Sequence, residues 1–321
     1  MARSRAHVPE YRPQLAQLVK TPPVGEGWVH EPKLDGYRIG CRIEGQKVTL
    51  LSRRGKDWTG AFPEVAAAAK RLKTNAALLD GEVAAVLPDG RTSFQAMQGR
   101  GDGSASIAYF VFDLLHVDGE DLVALTVEER KTKLRALLGA SPPAPLRYVE
   151  HVIGNGREFF AAACGLRLEG IISKARSDRY RPAARHSSWQ KSKCVLRQEF
   201  VVGAWQTSVT GGLGALFLGY YEKGKLVYSG KVGTGFQRVE KDLLARLGHE
   251  KAATSPFEVN APRGAAVRDA HWIAPRIVVE VAFTEWTNDG HIRHPSFPGI
   301  REDKAPKDVE REVPAPGEVD S

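Results

Sequence analysis

The stretch Glu31-Pro32-Lys33-Leu34-Asp35-Gly36-Tyr37-Arg38 sets a lysine, a carboxylate, a glycine and an arginine within six residues, directly after the apolar pair Trp28 and Val29. Lys33 is the candidate covalent nucleophile. An amine attacks phosphorus only when neutral, so its site must favour that form by desolvation, nearby positive charge or a bound cation. Gly36 lets backbone approach a bound nucleotide, and Arg38 offers a forked donor to phosphate or ribose oxygens. This is chemistry suited to a phosphoramidate intermediate. A solvated Asp-Gly surface turn is the competing reading, so partners downstream must decide.

The elements that would position these residues follow from periodicity. Ile39–Ile43 and Val48–Leu51 flank Glu44-Gly45-Gln46 as a hairpin that delivers Ser52-Arg53-Arg54-Gly55. Phe62–Leu72 reads as an alanine-rich helix, and Ala77-Leu78-Leu79 as a strand leading into Asp80-Gly81-Glu82-Val83. Ile107–Leu115 reads as a buried strand whose run is broken by Asp113. Thr126-Val-Glu-Glu129 is a capping box for a helix to about Leu138, taken as structural, with Leu134, Leu137 and Leu138 on one face. Arg147–Ile153 reads as a strand, Gly156–Cys164 as a helix and Leu168–Lys174 as a strand, and a charged loop leads to Trp189. Lys191 and Lys193 alternate with Gln190 and Ser192, so on a strand both face one side and reach one phosphate.

From about Cys194 the texture changes to short strands with glycine-rich turns and one helix near Val239–Leu247, which suggests a small antiparallel barrel of the oligonucleotide-binding (OB-fold) type. The expected fold class is α+β, with antiparallel sheets and helices in 1–194, the barrel in 195–306, and a flexible acidic tail over 307–321. Residues 1–27 read as a lead-in that packs on the first domain through Leu15, Leu18 and Val19.

Seven stretches stand in order: KLDGYR at 33–38, SRRG at 52–55, LDGEV at 79–83, YFVFDLL at 109–115, EGIISK at 169–174, WQKSK at 189–193 and RHPSFPGIREDK at 293–304. Together they resemble the motifs of covalent nucleotidyltransferases, the superfamily of ATP-dependent DNA ligases, RNA ligases and capping enzymes. Within it the set is most similar to the ligase domain of the bacterial end-joining ligase D. The resemblance implies an ATP-grasp-like nucleotidyltransferase domain followed by an OB-fold, and Lys33 taking AMP from ATP and passing it to a DNA 5′-phosphate. It implies that Glu82 and Glu169 lie near the ribose and hold Mg²⁺ or Mn²⁺, that Phe112 stacks on adenine, and that Glu31 belongs to the nucleotide site. Arg38 and Arg53 would contact ribose and the nick phosphate, Lys191 and Lys193 a phosphate, and Lys174 the same pocket more weakly. Asp35 would assist late steps at the 3′-hydroxyl, while Arg301, Asp303 and Lys304 would orient the outer ATP phosphates as the second domain closes.

A formal charge of +8, divided into +12 over residues 1–307 and −4 over the last fourteen, suits a polyanionic partner. The implied partners are nicked or broken double-stranded DNA and a Ku-like end-binding protein, with a monomer as the default. Cys41, Cys164 and Cys194 are odd in number and lack metal-ligand spacing, so neither a disulfide framework nor a zinc site is implied. No apolar run reaches a membrane span and no secretion signal opens the chain, so a cytoplasmic protein is expected. An RNA ligase or a GTP-using capping enzyme shares the lysine chemistry, whereas a non-catalytic nucleic-acid-binding protein would leave Lys33 dispensable.

Overall fold

The computed structural model describes residues 8–98, 106–209, 211–237 and 239–315, so the first residues of the expected lead-in and positions 316–321 of the expected tail lie outside it. The chain folds as two compact units, one running to Cys194 and resumed at Pro314, the other Val195–Val313. Both are mixtures of strands and helices.

The first unit contains two sheets. In one, Lys47–Ser52, Tyr37–Glu44, Ala76–Val86, Ser106–Val117 and Glu120–Asp121 follow in that order, with Thr92–Ser93 and Leu146–Tyr148 attached to its central strands. In the other the order is Leu15–Leu18, Arg185–Lys193, Gly170–Ala175, Trp28–Pro32 and Val152–Ile153. The alternation in Tyr37–Glu44 explains its place. Tyr37, Ile39, Cys41 and Ile43 enter the main core, which leaves Arg38, Gly40 and Arg42 on the opposite face.

Ala76–Val86 is one continuous strand, and both of its faces are covered. Ala77, Leu79, Val83 and Ala85 join the main core, while Ala76 and Leu78 join a second cluster with Val8, Tyr11, Leu115, Tyr180 and Trp189, residues drawn from both sheets. Two residues further along that second face come Asp80 and then Glu82. The apolar packing between the sheets therefore gives way to carboxylates along a single strand.

Asp113, the interruption in the apolar strand, has a buried partner. Arg130 donates to it through Nε at 2.8 Å and Nη2 at 3.0 Å, with 0 % and 1 % of the two side chains exposed. Arg130 also donates to the Leu125 carbonyl at 2.7 Å. The expected capping box is present, with Thr126 accepting from the Glu129 amide and Glu129 from the Thr126 amide, and it opens the helix Val127–Leu138. That helix is more than scaffold, because Arg130 and Lys131 are both buried.

Several expectations are corrected. The alanine-rich helix spans only Pro63–Ala69. Arg147–Ile153 is two short strands in different sheets, because Leu146–Tyr148 pairs with Ser106–Val117 and Val152–Ile153 with Trp28–Pro32. The charged loop before Trp189 is the start of the strand Arg185–Lys193. Cys164 and Cys194 form a disulfide with Cα atoms 5.2 Å apart, because the end of the Gly156–Gly165 helix lies against the end of that strand. Residues 307–315 are not a loose tail: Val309 is 3 % exposed and its carbonyl accepts from the Tyr221 amide, and the Ala315 amide donates to the Leu18 carbonyl.

The second unit is an antiparallel sheet ordered Lys225–Val232, Leu213–Glu222, Leu196–Thr207, Val278–Phe283, Ser296–Ile300, with His271–Trp272 on the middle strand and the helix Glu240–His249 packed on its core. Among the described residues no helix is long and apolar enough to cross a membrane.

Breaking a buried ion pair from one side leaves an uncompensated charge, at a cost of about 3–5 kcal/mol. Asp113→Ala should therefore lower unfolding stability by about that much in a denaturant titration, whereas a double change of Asp113 and Arg130 to apolar residues should recover most of it.

Candidate functional site

Lys33 lies where the chain passes from one sheet to the other, because Trp28–Pro32 ends just before it and Tyr37–Glu44 begins just after Gly36. The Lys33 amide donates to the Gly170 carbonyl at 2.9 Å, which ties the crossing to the strand that follows Glu169. Gly170 has φ +153°, and a Cβ there would lie 2.0 Å from the Ser192 carbonyl oxygen, so only glycine lets the two strands meet. Gly36 is required for a similar reason. A Cβ there would stand 2.2 Å from the Val83 carbonyl oxygen, so its role is close packing on the neighbouring strand rather than approach to a nucleotide.

The Lys33 ammonium donates to Glu169 Oε2 at 2.5 Å. Burial works against the charged amine, but Glu169, by charge and hydrogen bond, and then Glu82 and Asp35 by charge, outweigh it and hold the Lys33 pKa well above its ordinary value. This reverses the expectation of a site that favours the neutral amine: the surrounding charges are carboxylates, so Lys33 rests as an ammonium. Asp35 is itself fixed, with its Oδ2 accepting from the Phe94 amide at 3.1 Å and its own amide donating to Thr92 Oγ1 at 3.0 Å.

Arg38 is held within the protein. Its Nε and Nη2 reach the two oxygens of Asp80 at 3.0 and 2.7 Å, and Nη1 reaches the Gln14 carbonyl at 2.6 Å. The same carboxylate accepts Tyr11 Oη at 2.8 Å and Tyr180 Oη at 2.7 Å. Asp80 thus receives four bonds and is fully buried. The guanidinium carbon lies 5.4 Å from the Phe112 ring centroid and 5.5 Å from that of Trp189. Phe112 and Trp189 meet edge to face, 6.3 Å between centroids, and Lys174 Nζ lies 4.6 and 4.3 Å from the same two rings.

Lys174 also links this aromatic pair to Glu31, whose Oε2 it reaches at 2.8 Å, while Lys131 reaches Oε1 at 2.5 Å. Burial disfavours the Glu31 carboxylate, yet Lys131 and Lys174 hold its pKa below the ordinary range; burial, aided by the charge of Lys131, holds that of Lys174 below its own.

Lys33, Asp35, Glu82 and Glu169 form one electrostatic group, and Arg38, Phe112 and Lys174 a neighbouring one around the Phe112 ring. Lys191 and Lys193 share the strand Arg185–Lys193, paired with Ile172 and Gly170 respectively. Arg53 and Arg54 line a cavity of about 500 Å³ with Arg12, Arg42 and Tyr11, the last of which bonds Asp80. In the second unit Arg301 grips both Asp303 oxygens at 2.8 Å and Glu280 at 3.2 Å, and Lys304 reaches Glu199 at 2.9 Å. Sequence reasoning missed Tyr11, Asp80, Tyr180 and Lys131 as supports. Asp80 alone carried a signal, as the first acidic residue of LDGEV.

Among the described residues no group of three or more His, Cys, Asp or Glu is arranged to hold a metal ion. That is compatible with magnesium-type binding, which commonly uses one or two carboxylates together with substrate phosphates. Glu82 and Glu169 both act by charge on Lys33, and carboxylate oxygens are donors of the hard type that such a cation takes.

Residues 13–193 match the family described as ATP dependent DNA ligase domain, and residues 209–304 match ATP dependent DNA ligase C terminal region. The chain is 40% identical, over 96% of its length, to the multifunctional non-homologous end joining protein LigD of Pseudomonas aeruginosa. It is 36% identical, over 89%, to the corresponding DNA repair protein LigD of Mycobacterium tuberculosis. It spans 37% of the length of each of these two relatives. A solved structure described as mycobacterial DNA ligase D complexed with ATP and MES superposes with a TM-score of 0.66 at 33% identity, covering 93% of this chain and 98% of that one.

Because Glu169 holds the ammonium, Glu169→Gln should lower the Lys33 pKa and raise its reactivity at neutral pH, by about tenfold per pKa unit. Competitive acylation followed by peptide mapping across pH 7–11 measures this directly. An unchanged Lys33 profile would remove Glu169 as the cause.

Proposed function

Because the chain belongs to the ATP-dependent DNA ligase family, we propose that it joins a DNA 5′-phosphate to an adjacent 3′-hydroxyl through an adenylyl group carried on Lys33. The observation that carries this is the 2.5 Å pairing of Lys33 with Glu169 at the crossing between the two sheets. It places a lysine amine among carboxylates suited to a cation and beside residues suited to a nucleotide.

In the first step the Lys33 ammonium loses a proton and its nitrogen attacks the α-phosphorus of ATP. A P–N bond forms as the P–O bond to pyrophosphate breaks. A DNA 5′-phosphate oxygen then attacks the same phosphorus, the P–N bond breaks, and the lysine amine is released. Finally the 3′-hydroxyl loses its proton and attacks the activated 5′-phosphorus, expelling AMP. Such transfers depend mainly on in-line positioning and charge neutralisation.

Glu82 and Glu169 are the residues that would hold Mg²⁺ or Mn²⁺, which when bound neutralises phosphate charge and weakens the grip of Glu169 on Lys33. Phe112 offers its face to the adenine, and Arg38, held by Asp80, its remaining donor capacity to the ribose. Asp35 is assigned to the late step at the 3′-hydroxyl. Lys191 and Lys193 are assigned to one phosphate of the nucleotide, and Arg53 to the nick phosphate. By motif, Arg301, Asp303 and Lys304 are assigned to the outer phosphates of ATP.

We assign 1–194 to adenylation and 195–306 to an OB-fold, a reading supported by the antiparallel strand order of the second unit. End joining in DNA repair, with a Ku-like partner and in the cytoplasm, is the biological role we favour from the relatives named LigD; a monomer suffices for it.

The test is sealing of a 5′-phosphorylated nick in duplex DNA, with RNA of the same sequence alongside. ATP-dependent joining of DNA should fall at least about 10³-fold in Lys33→Ala, the order expected when a covalent nucleophile is lost. It should also weaken steeply between low and physiological salt. Joining of RNA alone would move the assignment to an RNA ligase, and joining that survives Lys33→Ala would remove the lysine from the mechanism.

A further inference from the structure

The bridge between Cys164 and Cys194 closes on the segment that delivers Glu169. Cys164 lies in the last turn of the helix Gly156–Gly165, and Cys194 directly follows the strand Arg185–Lys193. The Cys194 amide donates to the Glu169 carbonyl at 2.9 Å, and Lys193 pairs with Gly170. Residues 165–169 are therefore tied to one cysteine at both ends, through its sulfur to Cys164 and through its amide to Glu169. Within that turn Arg167 has φ +58°, a left-handed conformation that glycine adopts more easily than a residue with a Cβ. The helix is closed there by bonds from the Arg167 amide to the Cys164 carbonyl and from the Leu168 amide to the Ala163 carbonyl, both 2.9 Å.

The bridge is also within reach of solvent. Cys164 and Cys194 are both partly exposed, and Gly165, Leu166 and Arg167 beside the first of them are exposed. The third cysteine differs: Cys41 is wholly buried, and burial pushes its thiol up to about 12. In the cytoplasm favoured above thiols are kept reduced, and a disulfide formed there is more often redox-sensing than structural.

We propose that Cys164 and Cys194 are a thiol–disulfide modification site that governs the placement of Glu169: the closed bridge fixes this carboxylate beside Lys33, and the open dithiol releases it. Opening takes two electrons from a small dithiol. One of its thiolates attacks a bridge sulfur, the S–S bond breaks as a mixed disulfide forms, and its second thiolate displaces the remaining cysteine. The reductant leaves as a cyclic disulfide, and the two protons it lost end on the two cysteine sulfurs. Closure is the reverse exchange with a small-molecule disulfide, which leaves as two thiols. For its consequence on rate the inference rests on the ligase reading above, in which Glu169 serves the first step. Displacing a positioned group slows such a step steeply, so the closed form is the faster one.

The experiment compares the oxidised chain, the chain in dithiothreitol, and Cys164→Ser and Cys194→Ser, at matched folded fraction by thermal unfolding. Alkylation without denaturant, mapped by mass spectrometry, should modify Cys164 and Cys194 only after the dithiol and Cys41 in neither state. Hydrogen exchange should speed by about tenfold on reduction at the amides of Cys194 and Lys33, with the strand Leu213–Glu222 unchanged. Self-adenylylation with ATP and Mg²⁺ should fall at least about threefold on reduction and return with oxidised glutathione. Both serine variants should be slow throughout and insensitive to the reductant. A bridge that opens only in denaturant, unchanged exchange at those two amides, an unchanged rate, or an equal response to reductant in the serine variants would overturn the proposal. Absence of label from ATP in every state would instead sink the ligase reading, and the exchange data would then decide the placement of Glu169 by themselves.

Discussion

The pairing of Lys33 with Glu169 depends on two neighbouring strands of one sheet meeting at the point where the chain crosses to the other sheet. Glu169 directly precedes Gly170–Ala175, and Lys33 directly follows Trp28–Pro32, and these strands are antiparallel neighbours. The backbone bond from Lys33 to Gly170 fixes the register between them. Side chains from adjoining strand ends are thereby brought to hydrogen-bond distance without any loop having to be ordered. The consequence for chemistry is a lysine amine held in its charged, unreactive form. In the proposed function the same carboxylates would take the cation, which would then compete for the oxygens that keep Lys33 protonated.

Around this pair lie buried carboxylates, each held by a side chain from another element. Asp80 is saturated by Arg38, Tyr11 and Tyr180. Asp113 is gripped by Arg130, and Glu31 by Lys131 and Lys174. Unpaired, each of these carboxylates would be strongly destabilising. Paired, they fix the Arg38 guanidinium and the Glu31 carboxylate beside the aromatic pair Phe112 and Trp189, and side chains fixed in advance lose less entropy on binding. The helix Val127–Leu138 contributes two of these cations from consecutive positions, so it joins packing to the site.

The sequence was informative where the code is local. The hairpin closed by Glu44 and Lys47 followed from alternation, and the capping box at Thr126 fixed the start of its helix. The order of motifs singles out Lys33 and Glu169, and the fold sets the two side chains 2.5 Å apart. It failed where long-range contact decides. Arg130 and Lys131 look like a solvated helix face until Asp113 and Glu31 come against them. Arg147–Ile153 has the composition of one strand, yet its ends pair in different sheets. Gly36 reads as room for a ligand and is instead room for the Val83 carbonyl. Cys164 and Cys194 lie 30 residues apart, and nothing in their spacing announced that helix and strand ends converge.

The central claim, that Lys33 is the residue that carries the nucleotide, is tested most directly by incubating the protein with ATP and Mg²⁺ or Mn²⁺ and mapping any covalent adenylyl group by peptide mass spectrometry. The account predicts one adenylyl group on the peptide that contains Lys33, lost on addition of nicked 5′-phosphorylated DNA and never formed in Lys33→Ala. An adduct on another residue, or none from folded protein shown to be free of AMP beforehand, would contradict it.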